Sequence, residues 1–362
     1  MKTLFDSTNI FNGNMKNRFF RSATHEELAD EKGHMTEKLF KKYEELAKGG
    51  VGTIITGYAF VREDEQPSPG MMGIYNDSFV EEYKQLTDMV HKQNTNIVMQ
   101  IVYGGSQTLF NPGERTIWGP SQVTDVATDV VPKEITKEEI KELTKNFADA
   151  ALRVKDAGFD AVQLHSAHGY LCSQFLSPYY NKRNDEYGGV IENRARIIFE
   201  IFEAIREKVG EEYPILIKIN CEDFMDGGLR AEDSLFVCKK LADMGINAIE
   251  ISGGTAASRP NEHGERINID SKEKQSYFRE YAARVSREVN IPVILVGGNR
   301  NVEVMNEILN DTEIEYFSLA RPFICEPDLV NRWSSGDTED AKCISCNMCS
   351  YGICVFNNIF KD

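Results

Sequence analysis

The sequence predicts one (β/α)8 barrel, the TIM-barrel class, over residues 1–335, with a cysteine-containing tail over 336–362. Three observations carry this. Eight short, nearly continuous apolar runs recur along the chain, as parallel strands buried on both faces require. Amphipathic helical runs separate them. The first run is followed by RSATHEELADEKG, which lacks the glycine-rich turn that a doubly wound nucleotide-binding sheet would place there.

The strand runs are FFRSAT, GTIITGYAF, NIVMQIVYGG, AVQLHSAH, PILIKINC, NAIEISGG, PVILVGG and EYFSLARP. Between the first two, Leu39, Tyr43 and Leu46 mark a helix face and Gly49 gives a stop. Phe79, Tyr83, Leu86 and Val90 mark the next helix. Thr136 and Glu139 form a capping box ahead of Ile140, Leu143, Phe147 and Val154, with Gly158 at the end. Ile198, Ile201, Ile205 and Val209 mark a fourth face. No short repeat, low-complexity tract or linker interrupts the alternation before about Gly336, and SSGDTEDAKC, after the last strand, reads as a polar tether.

Composition narrows the function classes. The 362 residues leave room for a barrel of about 250 residues with insertions and a tail. Hydrophobic residues make up 41%, enough for a large core. The net charge is −16, with no basic run, so nucleic acid and anionic membranes are poor partners. No apolar stretch approaches the roughly 20 residues of a membrane span. The start, MKTLFDSTNIFNGN, lacks the apolar segment of a signal peptide, so a cytoplasmic location is expected. A homo-oligomer is compatible with all of this.

In this fold the active site lies at the C-terminal ends of the strands. Those ends carry Ser22 to His25, Gly57, Gln100 to Gly105, His165, Lys218 with Asn220, Gly253–Gly254, Gly297 to Asn299, and Ala320–Arg321. The densest group is HSAHGY, with His165, His168 and Tyr170 within six residues. A continuing strand would place His165 and His168 on opposite faces. The strand must therefore break near His165, so that both imidazoles reach one rim. Two imidazoles and a phenol suit holding a carbonyl oxygen and delivering a proton. A histidine pair alone is more often structural; its place at a strand end favours chemistry. Lys218 interrupts an apolar run, where a lysine needs a partner. The glycine turn after the seventh strand and Arg321 form an anion cradle. Phosphate cradle, amide, cation and imidazole pair together suit a phosphorylated heterocyclic cofactor.

The chain resembles the Old Yellow Enzyme family of FMN-dependent ene-reductases over about residues 3 to 333. The resemblance is carried by KNRFFRSAT, YEELAKGGVGTIITG, GIYNDSF, HGYLCSQFLSPYYNKRNDEYGGVIENR, LIKIN and LARPFICEPDLV. It implies FMN as cofactor and NAD(P)H as reductant. It also implies that Ala23, Thr24, Gly57 and Gln100 meet the flavin ring, and that Lys218 lies beside N1 and O2. Gly298, Asn299, Ala320 and Arg321 would hold the phosphate. His165 and His168 match the family's carbonyl-binding pair and Tyr170 its proton donor. The implied reaction reduces an α,β-unsaturated carbonyl compound, with hydride from flavin N5 to Cβ and a proton from Tyr170 to Cα. Where the family often has His-Ala-Gly-Arg, this chain reads Tyr103-Gly104-Gly105-Ser106, and His25 and Arg21 add groups near the first strand's end.

Eight cysteines divide into four scattered (Cys172, Cys221, Cys238, Cys325) and four near the C-terminus (Cys343, Cys346, Cys349, Cys354). The bunched four resemble, with shorter spacing, the iron–sulfur motif of the 2,4-dienoyl-CoA reductase branch, and imply a [4Fe–4S] cluster or zinc. Two alternatives accompany the ene-reductase reading: an amine dehydrogenase or demethylase of the same superfamily, and an electron-transfer subunit fed by a tail cluster.

Overall fold

A computed structural model describes residues 1–11, 13–350 and 352–355. Among these residues eight parallel barrel strands alternate with eight helices, with shorter elements between them. They are β1 (Phe19–Arg21), α1 (Glu37–Lys48), β2 (Thr53–Ile55), α2 (Ser78–His91), β3 (Asn96–Val102), α3 (Lys137–Asp156), β4 (Ala161–Ser166) and α4 (Arg196–Val209). Then follow β5 (Ile215–Asn220), α5 (Ala231–Asp243), β6 (Ala248–Ser252), α6 (Arg279–Glu288), β7 (Val293–Val296), α7 (Val302–Asp311), β8 (Tyr316–Leu319) and α8 (Leu329–Ser334). Each strand pairs in parallel with the next, and β8 returns to β1 with Phe19 opposite Phe317, so the sheet closes. The expected barrel is the observed one.

The helix signals hold, with one correction. Thr136 accepts from the Glu139 backbone while the Glu139 side chain accepts from the Thr136 backbone, a complete capping box. Thr36 caps α1 by accepting from Leu39. The left-handed residue that ends α1 is Gly50 (φ 91°), not Gly49, whose φ is −73°. Gly49 is required for space: a Cβ there would lie 1.8 Å from the Pro327 carbonyl oxygen.

The second strand run is also shorter than its apolar stretch suggests. β2 ends at Ile55, and Ala59–Phe60 forms a separate ladder with Ile101–Val102 and Met72–Gly73. Between them the chain presses under the loop after β1. A Cβ on Gly57 would meet the Glu26 carboxylate and the Thr24 carbonyl at 2.8 Å.

Side-chain alternation builds the barrel interior in layers. One layer is apolar: Phe20, Ile55, Val98, Ala161, Leu216, Ala248, Ile294 and Tyr316, closed from below by Phe11 and Met15. Two residues further along each strand, the inward positions become Ser22, Gly57, Gln100, Gln163, Lys218, Glu250, Val296 and Ser318. Apart from Gly57 and Val296, that layer is polar, and all of it is buried. The apolar layer supports the fold at about 1.5–3 kcal/mol per large side chain. The polar layer faces the C-terminal mouth. Among the described residues no helix is long and apolar enough to cross a membrane.

Candidate active site

A cavity of about 490 Å3 opens at the C-terminal ends of the strands. Ala23, Thr24, Gln100, His165, His168, Tyr170, Lys218, Gly298, Asn299, Ala320 and Arg321 all line it, as the sequence leads one to expect. Gly57 does not: its N–H donates to the Tyr43 hydroxyl (2.9 Å) and its neighbour Tyr58 faces the cavity instead. Arg21 is turned away too. It lies outside the barrel wall, paired with Glu26 and over the Tyr43 ring, so its charge is neutralised beneath α1.

The rim is set by the break after Ser166. His168 adopts a left-handed backbone (φ 62°), held by its N–H to Asn220 Oδ1 (3.1 Å) and by a bridge to Thr255. This costs on the order of 1 kcal/mol and brings the two imidazoles edge to face, 5.3 Å apart. Tyr170 lies 4.9 Å from His165 and 5.3 Å from Tyr58, ring centre to ring centre. The three sequence-predicted groups therefore converge.

Their protonation follows from burial. Desolvation, then the charges of His168 and Lys218, drive His165 well below the usual imidazole range. Desolvation, then Lys218, pushes His168 down to about 3. Desolvation raises Tyr170 to about 12. At neutral pH the rim thus carries two neutral imidazoles and a protonated phenol. The Ala167 N–H donates to His165 Nδ1 (3.4 Å), which assigns the His165 proton to Nε2. His168 Nε2 lies 2.7 Å from Ser252 Oγ; if the hydroxyl donates there, His168 keeps a proton on Nδ1. Both rings can then donate to one oxygen.

The sign of the linkage is fixed by these shifts. His168 titrates lower in the folded chain than its ordinary 6.5, so the unfolded chain binds the extra proton first. The stability it confers is complete above 6.5 and is lost as pH falls from there toward 3. Urea midpoints for the native protein should therefore fall more steeply between pH 7 and 4.5 than those of His168→Gln. Parallel slopes would show that His168 is not held neutral.

At the other end of the cavity, Gly297 (φ 111°) and Gly298 (φ 75°) lie flat against Tyr277, where a Cβ on either would come within 2.8 Å of the ring. Asn299 contributes backbone only. Its side chain donates to the Leu295 and Ser318 carbonyls (2.8 and 3.0 Å) and so ties β7 to β8. Arg321 donates to the Arg266 carbonyl (2.9 Å) and to Asn347 of the tail. The polar tether is accordingly not free: Arg300, Arg332 and Trp333 bond its backbone, and Cys343, Ser345, Asn347 and Cys349 form one wall of the cavity.

The tail thiols are arranged differently from the sequence expectation. Cys343, Cys349 and Cys354 pack with Cys325, a residue the sequence left among the scattered cysteines, while Cys346 is exposed. Desolvation raises Cys325 to about 12 and Cys349 to about 11, so both are thiols rather than thiolates. Among the described residues no three His, Cys, Asp or Glu side chains form a group that would hold a metal ion.

Sequence reasoning placed Ser22 at a strand end without a role and missed Tyr58, Gln163, Glu250 and Ser252. The signal was present. Gln163 sits two before His165, and Glu250 two before Ser252, so each shares the inward face of its strand with a mouth residue. The partner that Lys218 needs is Glu250, its register neighbour on β6 (3.3 Å).

Comparison with known proteins agrees with this geometry. The family model described as NADH:flavin oxidoreductase / NADH oxidase matches residues 3–340. An NADH oxidase of Thermoanaerobacter brockii is 33% identical over 360 residues, covering 98% of this chain and 54% of that protein. An NADPH dehydrogenase of Clostridium acetobutylicum is 31% identical over 328 residues, covering 90% of this chain and 93% of the relative. Among solved structures, a 2-naphthoyl-CoA reductase in complex with 2-naphthoyl-CoA aligns with a TM-score of 0.88 at 25% identity, covering 96% of this chain and 55% of that one. The chain spans about half the length of the NADH oxidase and of the naphthoyl-CoA reductase. With a matching model over nearly all of its length and a closed barrel with His168 and Tyr170 at its mouth, the chain belongs to the NADH:flavin oxidoreductase / NADH oxidase family, the Old Yellow Enzyme family of NAD(P)H-dependent flavin oxidoreductases.

Proposed function

We propose that this protein reduces the C=C bond of an α,β-unsaturated carbonyl compound, using FMN and NAD(P)H. The observation that carries the reading is the convergence of His165, buried, with His168 and Tyr170, half-buried, all in neutral form, on the rim of the cavity. The cavity fits FMN by the chemistry of its walls. Gln100 and Lys218 offer an amide and a cation on the floor, and the Gly297–Gly298 turn and Arg321 offer donors at the far end. FMN, when bound, would supply the hydride that ends on Cβ. The chain's own residues do the rest. His165 and His168 donate to the carbonyl oxygen and draw electron density from Cβ. Tyr170, protonated across the physiological range, gives its proton to Cα.

The naphthoyl-CoA reductase resembled by this chain makes thioesters part of the test. A steady-state screen of enones, nitroalkenes, enoates and enoyl- or aryl-CoA esters should find turnover with at least one unsaturated carbonyl class. Turnover of amines alone would favour the dehydrogenase alternative. The purified protein should release FMN, not FAD, on denaturation. Arg321→Ala should weaken FMN retention by roughly 2 kcal/mol or more, the order of a charge-assisted phosphate contact. FAD, or no flavin after reconstitution, would overturn this.

A second proposal concerns the tail: Cys343, Cys346, Cys349 and Cys354 hold a [4Fe–4S] cluster or zinc. Its support is the run of four cysteines between positions 343 and 354; three of them pack beside Cys325 while Cys346 is exposed, so their arrangement is not a ligating one, and no catalytic step is assigned to it. Protein purified without oxygen should contain iron with sulfide, or zinc, and serine at all four positions should remove it. Metal-free protein with full activity retires the proposal and with it the electron-transfer alternative.

A further inference from the structure

The polar layer under the cavity has a direction. Glu250, fully buried on β6, accepts from Ser22 Oγ (2.8 Å) and pairs with Lys218 Nζ (3.3 Å) through Oε1, and accepts from Gln163 Nε2 (2.9 Å) through Oε2. Gln163 Oε1 in turn accepts from Gln100 Nε2 (2.7 Å). Lys218 Nζ also donates to Ser22 Oγ (2.8 Å). Ser22, Gln100 and Lys218 line the cavity; Gln163 and Glu250 lie behind them.

A carboxylate can only accept. Facing Glu250, Gln163 must turn its NH2 toward it and its oxygen toward Gln100. Gln100 must then spend an N–H on Gln163, which leaves its Oε1 for the cavity. Ser22 gives its hydroxyl proton to Glu250 and keeps a lone pair for Lys218. The orientation of an amide whose two ends look alike is thus settled by one charged residue two links away. The floor therefore presents an acceptor from β3 and a cation from β5. An imide edge, an N–H next to a carbonyl, is complementary to that pair. Glu250 does not line the cavity and pairs with Lys218 from the neighbouring strand, so the charge that Lys218 shows the cavity is that of a partly neutralised ion.

We propose that Glu250 is a positioning residue for the flavin ring: it fixes Gln100 as an acceptor for the ring's imide N–H and moderates the positive charge that Lys218 presents to the reduced ring. The proposal rests on the FMN reading above and deepens it.

The test uses the FMN-loaded protein and reads the flavin midpoint potential, which a purely structural role would not move in a set direction. In Glu250→Gln the carboxylate charge is gone and Lys218 is unopposed. The potential should become more positive by about 30 mV or more, a tenfold greater preference for reduced over oxidised flavin. Glu250→Asp keeps the charge and should stay close to the native potential. An unchanged or more negative potential in Glu250→Gln overturns the charge role. Amide orientation is read on apoprotein reconstituted with FMN or with its N3-methyl analogue. Native protein should favour FMN at least tenfold, and Gln163→Met, which cuts the link to Glu250 without touching the ion pair, should lose most of that preference at an unchanged potential. Equal preference in native protein and Gln163→Met overturns the orienting role, and this arm decides if Glu250→Gln does not fold. Absence of bound FMN in the native protein would instead overturn the cofactor reading.

Discussion

Phenylalanine at position 170 should leave reduction of the flavin by NAD(P)H nearly unchanged while slowing its reoxidation by an enone about 10²-fold or more, the usual worth of a positioned general acid. The substitution removes one hydroxyl and keeps the ring, so the packing against His165 and Tyr58 should survive. Burial holds Tyr170 up at about 12, so loss of activity through its ionisation should not appear below about pH 10. Strongly activated acceptors such as nitroalkenes should suffer less, because the nitronate can leave and take its proton from water. His165→Ala or His168→Ala should differ in kind. Each removes a donor to the carbonyl oxygen, so enone binding weakens together with its reduction. Stopped-flow measurement of the two half-reactions separates these cases. Equal slowing of both in the tyrosine variant would mean that Tyr170 shapes the cavity and is not the acid.

How far the sequence could be read depends on which physical signal each residue leaves. Strand cores such as Ile97–Val98 and Ile215–Leu216 are buried on both faces, so they appear as continuous apolar runs and all eight strands were legible. The rim was legible because His165, His168 and Tyr170 are polar groups concentrated where an apolar run stops. The inner polar layer was harder. Gln163 and Glu250 are single residues inside apolar runs, and their meaning appears only when strands distant in sequence are placed side by side. Glu250 meets Lys218 across 32 positions and Ser22 across 228. The fate of Gly57 was illegible for the same reason, since what stops it reaching the cavity is the Glu26–Tyr43 pair packed against it. Likewise Cys325 joins the tail thiols only because the chain after α8 folds back over the mouth.

Lys218→Met should destabilise the flavin-free protein by about 3 kcal/mol, although it exchanges a buried charge for an apolar side chain of similar length. Two effects oppose each other. Removing the ammonium relieves the cost of keeping it out of water, which favours the variant. It also leaves Glu250, whose side chain is 0% exposed, without its counter-charge. Removing one partner of a buried pair typically costs about 3–5 kcal/mol, because the remaining ion keeps its full desolvation penalty. Here the hydroxyl of Ser22 and the amide of Gln163 still donate to the carboxylate, which places the expectation at the lower end of that range. The double variant Lys218→Met/Glu250→Gln carries no buried charge at either position and should recover most of the loss. That recovery distinguishes an uncompensated carboxylate from a packing defect, which the second substitution would not repair. Urea unfolding of the four proteins at one pH, with equal denaturant slopes as the control for two-state behaviour, gives the cycle. A loss below about 1 kcal/mol in the single variant would mean that water or backbone movement already screens Glu250. In that case the ion pair would not be the element that holds the floor of the cavity in register.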